Sequence, residues 1–258
     1  MNNKKFLFII IGVFVLCGVI SAGLLVSSSK AALSQKMFIP AYFYPGSLWE
    51  QAISRTPTVD VMVMNPNSGP GSNSNSDYVN AVSSAQSAGI KVIGYVHTSY
   101  SNRDMAIVKS EIDAYKEWYA VDGIFLDEVS SSADLISYYQ ELADYIKNSD
   151  GTLVALNPGT IPAEEYMNVG DIVNIFEGTY QTYANWEAPS WASEYSPSKF
   201  SHLIYNVANF RDMKKAIRWS GNRFAGYVYA TNDVLPNPWD TLPSYMSAEL
   251  KEINKNSF

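Results

Sequence analysis

Between residues 37 and 231 the chain alternates two textures, and this alternation narrows its folds more than any other feature. Short runs rich in Val, Ile, Tyr and Phe read as buried strands at residues 37–44, 59–65, 91–97, 123–129, 152–157, 171–177, 200–207 and 224–231. Helical patterns lie between most of them, at 104–120, 133–147 and 211–220. In the first of these Ile107, Ile112, Tyr115 and Tyr119 form an apolar stripe, and Asp104 and Asp134 sit where helix N-termini favour acidic caps. Pro and Gly punctuate the links, as at residues 66–71 and at Gly151. Eight such strand–helix or strand–loop units in about 220 residues predict a single α/β domain of the (β/α)8 TIM-barrel type. An open doubly wound sheet would more often carry a Gly-rich phosphate loop after its first strand, and Tyr44-Pro45-Gly46 is not one.

Residues 1–36 stand outside this pattern. Lys4 and Lys5 precede an apolar run from Phe6 to Val26, followed by Ser27-Ser28-Ser29-Lys30-Ala31. Residues 1–31 therefore read as a signal peptide, with cleavage after Ala31, or as a membrane anchor, because the run approaches the ~20 residues of a spanning helix. Cys17 follows Leu16 where a lipoprotein signal needs a small residue, so it is an apolar filler. Both readings put the working domain outside the cytoplasm, secreted or on the outer face of the membrane. Residues 32–36 read as a short polar tether and 37–258 as the barrel.

Composition removes several function classes. Net charge is −7. Residues 1–31 hold three lysines and no acid, so their removal leaves −10. With no Lys/Arg-rich run, nucleic acid is excluded as a partner. One Cys and two His supply too few ligands for a zinc or iron–sulfur centre, and no metal or organic cofactor is expected. The same shortage argues against a metal-dependent deacetylase. A monomer is the expected state.

In a barrel of this type chemistry sits at the C-terminal ends of the strands. Those ends carry Tyr42 and Tyr44, Asn65, His97, Asp127 and Glu128, Asn157, Glu177, Tyr205 and Asn206, and Tyr229, whereas the strand interiors are Val, Ile, Leu, Phe and Ala. Polar loops account for Asn65 or Asn157 readily, but less well for three carboxylates. Side chains alternate along a strand, so Phe125 and Asp127 share one face, as do Val173, Ile175 and Glu177. With that face inward, Asp127 and Glu177 enter one pocket and Glu128 sits at its rim. Paired carboxylates serve glycoside cleavage, one protonating the leaving oxygen and the other acting as nucleophile or base. Sugars also stack on aromatic rings. Tyr42, Tyr44, Tyr95, Tyr100, Tyr180, Trp186, Trp191, Tyr205, Tyr229 and Trp239 are candidates to line the groove.

Several runs occur together in one order: Ile39-Pro40-Ala41-Tyr42-Phe43-Tyr44-Pro45, Asn65-Pro66-Asn67-Ser68-Gly69-Pro70-Gly71, Gly94-Tyr95-Val96-His97-Thr98 and Asp122-Gly123-Ile124-Phe125-Leu126-Asp127-Glu128. With Asn157-Pro158-Gly159 and Phe176-Glu177, they resemble the spherulin-4 family, also called spherulation-specific family 4, over about residues 38–250. The resemblance implies a barrel similar to glycoside hydrolase family 135, whose members cleave α-1,4-linked N-acetylgalactosamine in galactosaminogalactan, a biofilm polysaccharide. It maps the family's acidic pair onto Asp127 and Glu128 and its third acid onto Glu177. The expected activity is endo-hydrolysis of an amino-sugar exopolysaccharide, with Asp127 as nucleophile or charge stabiliser, Glu177 as general acid/base, and Glu128 tuning the pair or trading roles with one of them. Retention of configuration is expected, because the crowded Asp127–Glu128 pair leaves little room for an attacking water. The competing class is a carbohydrate-binding wall or spore-coat protein on an inactive barrel.

Overall fold

The computed structural model describes residues 34–148 and 152–256. Strands β1 (Lys36–Ala41), β2 (Val59–Met64), β3 (Lys91–His97), β4 (Gly123–Asp127), β5 (Leu153–Leu156), β6 (Ile172–Thr179), β7 (Phe200–Tyr205) and β8 (Tyr227–Ala230) pair in parallel and in sequence order. Pairing of β1 with β8 through Lys36–Tyr227 and Met37–Val228 closes the barrel. The (β/α)8 expectation holds. Buried on both faces, these strands are apolar almost throughout, because helices cover the outside while side chains fill the lumen. Phe38, Tyr95 and Phe125 interlock there, with Phe125 5.8 Å from Phe38 and 6.4 Å from Tyr95 between ring centroids.

The helices are α1 (Ser47–Ile53), α2 (Ser76–Ser87), α3 (Met105–Tyr119), α4 (Ile136–Lys147), α5 (Tyr180–Ala184), α6 (Phe210–Asn222) and α7 (Met246–Ile253). Asp104 caps α3, its carboxylate accepting from the Ala106 N–H at 2.7 Å. Val108 rather than Ile107 completes the buried stripe of α3, with Ile112, Tyr115 and Tyr119, while Ile107 faces solvent. Tyr115 packs so closely on β3 that a Cβ at Gly94 would lie 2.5 Å from its ring, which is why glycine stands there. Helices α1, α2, α5 and α7 were not legible as periodic stripes.

The barrel starts earlier than the expected boundary at residue 37. Lys36 opens β1, and Gln35 is fully buried, its amide donating to Ser220 Oγ at 2.8 Å and to the Ala225 carbonyl at 2.7 Å. These two residues belong to the fold rather than to a tether. The signal-peptide or anchor reading of residues 1–31 lies outside the described residues, among which no helix is long and apolar enough to cross a membrane.

One strand departs from simple alternation. In β6 the pairing with β7 slips between Asn174 and Phe176, a bulge of the kind that re-aims side chains beside functional sites. Sequence parity puts Glu177 with Val173 and Ile175. In the structure Glu177 shares the lumen with Asn174, since both reach Asn157, while Phe176 turns outward against Tyr183 and Trp186.

Candidate functional site

A cleft of about 530 Å³ opens at the C-terminal ends of the strands, within the roughly 300–1,000 Å³ usual for ligand sites. Its floor carries Asp127 from β4, Asn157 just past β5 and Glu177 from β6. Tyr42 and Tyr205 stand at the ends of β1 and β7, and residues 235–239 between β8 and α7 form one wall. Tyr100, from the loop after β3, forms part of the rim.

The floor is organised by one amide. Asn157 Nδ2 donates to Asp127 Oδ1 and to Glu177 Oε2, each at 2.7 Å. Two oxygens bound to the same nitrogen at that length can be no more than twice it, about 5.4 Å, apart. Asn157 Oδ1 in turn accepts from the Gly159 N–H at 3.0 Å and from Asn174 Nδ2 at 2.6 Å. Asp127 receives further hydrogen bonds from the Tyr95 hydroxyl and the Glu128 backbone N–H, and Glu177 receives one from the Trp239 indole. Trp239 is fixed from several sides. Its carbonyl accepts from the Tyr42 N–H at 3.1 Å, and its ring lies 6.0 Å from both Tyr205 and Tyr229.

Burial and crowding make both acids reluctant to ionise. Burial, then the neighbouring Asp127 charge, pushes Glu177 from 4.5 up to about 7, against the opposing pull of Asn157 and Trp239. Burial also raises Asp127, but the donors from Tyr95, Glu128 N–H and Asn157 work against it. Tyr42 and Tyr95 are held well above the usual phenol range, by burial first and by the carboxylates second.

Local backbone geometry supports this arrangement. Glu128 takes a left-handed φ of 51°, and so do three consecutive residues of the loop after β3: Ser99 at 48°, Tyr100 at 54° and Ser101 at 69°. The two loops hold each other, with Tyr100 N–H donating to the Glu128 carbonyl at 2.7 Å and Thr98 N–H to the Asp127 carbonyl at 2.9 Å. Strained backbone of this kind persists only where its surroundings over-determine it.

Of the candidates read from sequence, Tyr42, Asp127, Glu128, Asn157, Glu177, Tyr205, Tyr100 and Trp239 line the cleft. Tyr95 lies just beneath, edge-on to Tyr42 at 5.4 Å. The others do not join it. Asn65 closes its own turn, accepting from the Gly69 N–H at 3.1 Å. His97 stacks on Tyr95 and meets Arg103, which forms an ion pair with Glu111. Tyr44 points away, donating to Asp77 at 2.6 Å, and Tyr180 donates to Asp212 at 3.0 Å. Tyr229 is fully buried with its hydroxyl on the Thr241 carbonyl, and Asn206 is an exposed left-handed turn residue. Trp186 and Trp191 pack on Phe176 and Phe200. Sequence reasoning missed Asn174, whose bulge hides it from a parity rule, and Leu235, Pro236 and Asn237, which belong to an irregular loop. Among the described residues, no three His, Cys, Asp or Glu side chains are grouped to hold a metal ion.

A closed parallel barrel with paired carboxylates on the floor of an aromatic cleft at its C-terminal face defines a glycosidase-like barrel. Residues 36–253 match the model of spherulation-specific family 4. Spherulin-4 of Physarum polycephalum is 36% identical over 234 residues, spanning 85% of this chain and 70% of that protein. The chain belongs to that family. Among solved structures, Sph3 of Aspergillus clavatus in complex with GalNAc superposes with a TM-score of 0.76 at 25% identity, covering 86% of this chain and 98% of its own. A chitinase from Chromobacterium violaceum shares the fold, with a TM-score of 0.54 at 10% identity over 84% of this chain and 98% of its own.

Proposed function

We propose that this protein is an extracellular, endo-acting glycoside hydrolase that cleaves an N-acetylgalactosamine-containing, galactosaminogalactan-like exopolysaccharide. The observation that carries the reading is the Asp127–Asn157–Glu177 bridge on the cleft floor. Family membership supports it, as does the similarity to Sph3, a protein whose structure holds GalNAc.

In this reading Glu177 is the proton donor. Raised to about 7, it keeps a proton at neutral and mildly acidic pH and delivers it to the leaving oxygen. Asp127, with three hydrogen-bond donors directed at its carboxylate, is the anionic partner. It attacks the anomeric carbon, or holds the substrate's acetamide while that group attacks. The nearest oxygens of the pair, at most about 5.4 Å apart, lie closer than the ~6.5–9.5 Å that admits an attacking water in inverting enzymes. Tyr42, Tyr100 and Tyr205 offer rings against which sugar faces stack.

The test is to incubate the purified domain with galactosaminogalactan and with bacterial amino-sugar polymers and to measure new reducing ends and product lengths. Oligosaccharides in the wild type and none with Asp127→Asn plus Glu177→Gln support the hydrolase. Equal polymer binding by both proteins, with no new ends from either, establishes the carbohydrate-binding alternative.

A further inference from the structure

Among the described residues, the large hydrophobic side chains most open to solvent all stand at the C-terminal face of the barrel. They occupy loops after strands, as Tyr44, Tyr100 and Leu235 do, or the first turn of the helix that follows, as Ile107 and Phe210 do. Tyr44 and Tyr100 are the most exposed aromatic residues of this face, at 57% each. Tyr100 belongs to the cleft rim, whereas Tyr44 lies outside the cleft.

Tyr44 is nevertheless held in place. Its hydroxyl donates to Asp77 Oδ2 at 2.6 Å and accepts from Asn75 Nδ2 at 3.2 Å. Its ring meets the buried Tyr78 edge-on, with centroids 5.5 Å apart. Asn75 also caps α2, its Oδ1 accepting from the Asp77 N–H at 2.9 Å, so the orientation of the ring is tied to the helix end. Ordering an exposed side chain costs rotamer entropy, and a ring ordered beforehand spares its ligand that cost.

The surroundings select the ligand. Asn75 ends the run Ser72-Asn73-Ser74-Asn75, whose first three residues are exposed. This stretch presents hydroxyls and amides, donors and acceptors without charge. A docking protein favours a contiguous apolar patch. A single fixed ring beside a Ser/Asn run instead complements a sugar, whose C–H face packs on the ring while its hydroxyl and amide groups seek hydrogen bonds. The face of an aromatic ring is negative, and the bond from the Tyr44 hydroxyl to a carboxylate adds electron density to it, which favours the electropositive C–H groups. The ring also adjoins the cleft. Tyr42 lines the cleft, and two residues of chain keep the Tyr42 and Tyr44 Cα atoms within about 7 Å of each other.

We propose that Tyr44 and loop 72–75 form a second carbohydrate-binding site outside the cleft, which holds a stretch of the amino-sugar polysaccharide beyond the part lying over Asp127 and Glu177. The identity of the occupant rests on the carbohydrate reading of the cleft, but the site makes no use of its acids.

The test uses the full chain carrying Asp127→Asn plus Glu177→Gln, so that no probe is consumed. Calorimetric titration measures its affinity for GalNAc and for galactosaminogalactan with Tyr44 intact, with Tyr44→Ala and with Tyr44→Phe, and thermal melting is the folding control. Tyr44→Ala should weaken polymer binding by about two- to tenfold, the effect of one lost ring contact, and leave GalNAc binding unchanged. Tyr44→Phe keeps a ring on Tyr78 and should keep most of the polymer affinity. Equal polymer affinity in folded Tyr44→Ala overturns the proposal, as does an equal loss in Tyr44→Ala and Tyr44→Phe. A GalNAc loss that matches the polymer loss also overturns it, because Tyr44 would then be acting on the cleft. Sedimentation velocity adds a further arm: a dimer abolished by Tyr44→Ala assigns the ring to a second copy of the chain and overturns the proposal. Polymer binding that depends on Tyr44, without cleavage by the wild type, counts against the hydrolase reading alone. Cleavage by the wild type, with polymer binding indifferent to Tyr44, counts against this site alone.

Discussion

Replacing Glu177 by Gln should stabilise the fold at alkaline pH and leave it nearly unchanged in acid. The folded protein holds this carboxyl at about 7, against 4.5 in ordinary surroundings. Below pH 4.5 both folded and unfolded chains carry the proton, and the residue contributes no difference. Between 4.5 and about 7 the unfolded chain releases its proton while the folded chain retains it, so stability falls as pH rises. Above 7 the folded state bears the whole burden of a buried charge beside Asp127. At about 1.4 kcal/mol for each pH unit, the gap amounts to about 3 kcal/mol. Gln removes the charge and keeps the shape, and its amide oxygen can still accept from Asn157. For a domain of this size about 3 kcal/mol corresponds to roughly 6–12 °C in Tm. Thermal melts of wild type and Glu177→Gln at pH 4.5 and 8.5 check this. A Tm gain confined to the higher pH is expected. An equal change at both pH values, or destabilisation at pH 8.5, refutes the argument that burial and Asp127 hold this acid in its protonated form.

Against polymer, Asp127→Asn and Glu177→Gln should each lower kcat and kcat/KM together, by about 10²–10⁴-fold, with substrate affinity retained; initial rates and equilibrium binding separate the two quantities. Trp239→Phe keeps a ring between Tyr205 and Tyr229 but removes the N–H given to Glu177, so the basic limb of the pH–rate profile should move up by up to about one pH unit. NMR of the first product from an α-linked polymer should show the α-anomer, since the bridged oxygens lie within about 5.4 Å of each other, short of the ~6.5–9.5 Å of inverting enzymes; an initial β-anomer removes Asp127 as nucleophile.

The barrel was legible because parallel strands buried on both faces leave nearly continuous apolar runs, and seven of the eight strands lie inside the ranges read from sequence or differ by no more than two residues. The exception is β1, where the reading ran on through Phe43 and Tyr44 although the strand ends at Ala41. Aromatic residues of the loop carry the same local signal as a buried strand. Asp127 was placed correctly, as β4 keeps strict alternation from Phe125. Glu177 was placed in the lumen for a reason that does not hold, since β6 bulges between Asn174 and Phe176. Tyr44, Tyr180 and His97 failed as pocket residues because a strand end specifies height along the barrel, whereas the direction of a side chain past that end depends on loop backbone. Tyr44 is drawn off by Asp77 and Tyr180 by Asp212, partners that lie 33 and 32 residues away in the chain.

The positions where local rules break are concentrated around the cleft. Ser99, Tyr100, Ser101, Glu128 and Asn206 all adopt left-handed backbone without being glycine, and all lie in loops at the C-terminal ends of β3, β4 and β7. The β6 bulge carries Asn174 and Glu177 to the same floor. Each departure disfavours the isolated segment, yet together they serve one geometry. The turn at Glu128 aims its N–H at the Asp127 carboxylate, and its carbonyl anchors Tyr100 above the cleft. The bulge brings a second amide under Asn157 without moving Glu177 out of the lumen. A barrel optimised for stability alone would have no use for two crowded acids sharing one donor. Their presence in an otherwise regular scaffold is what a site poised to hold and release a proton requires, and it explains why alternation and propensity fail there while succeeding along the strand interiors.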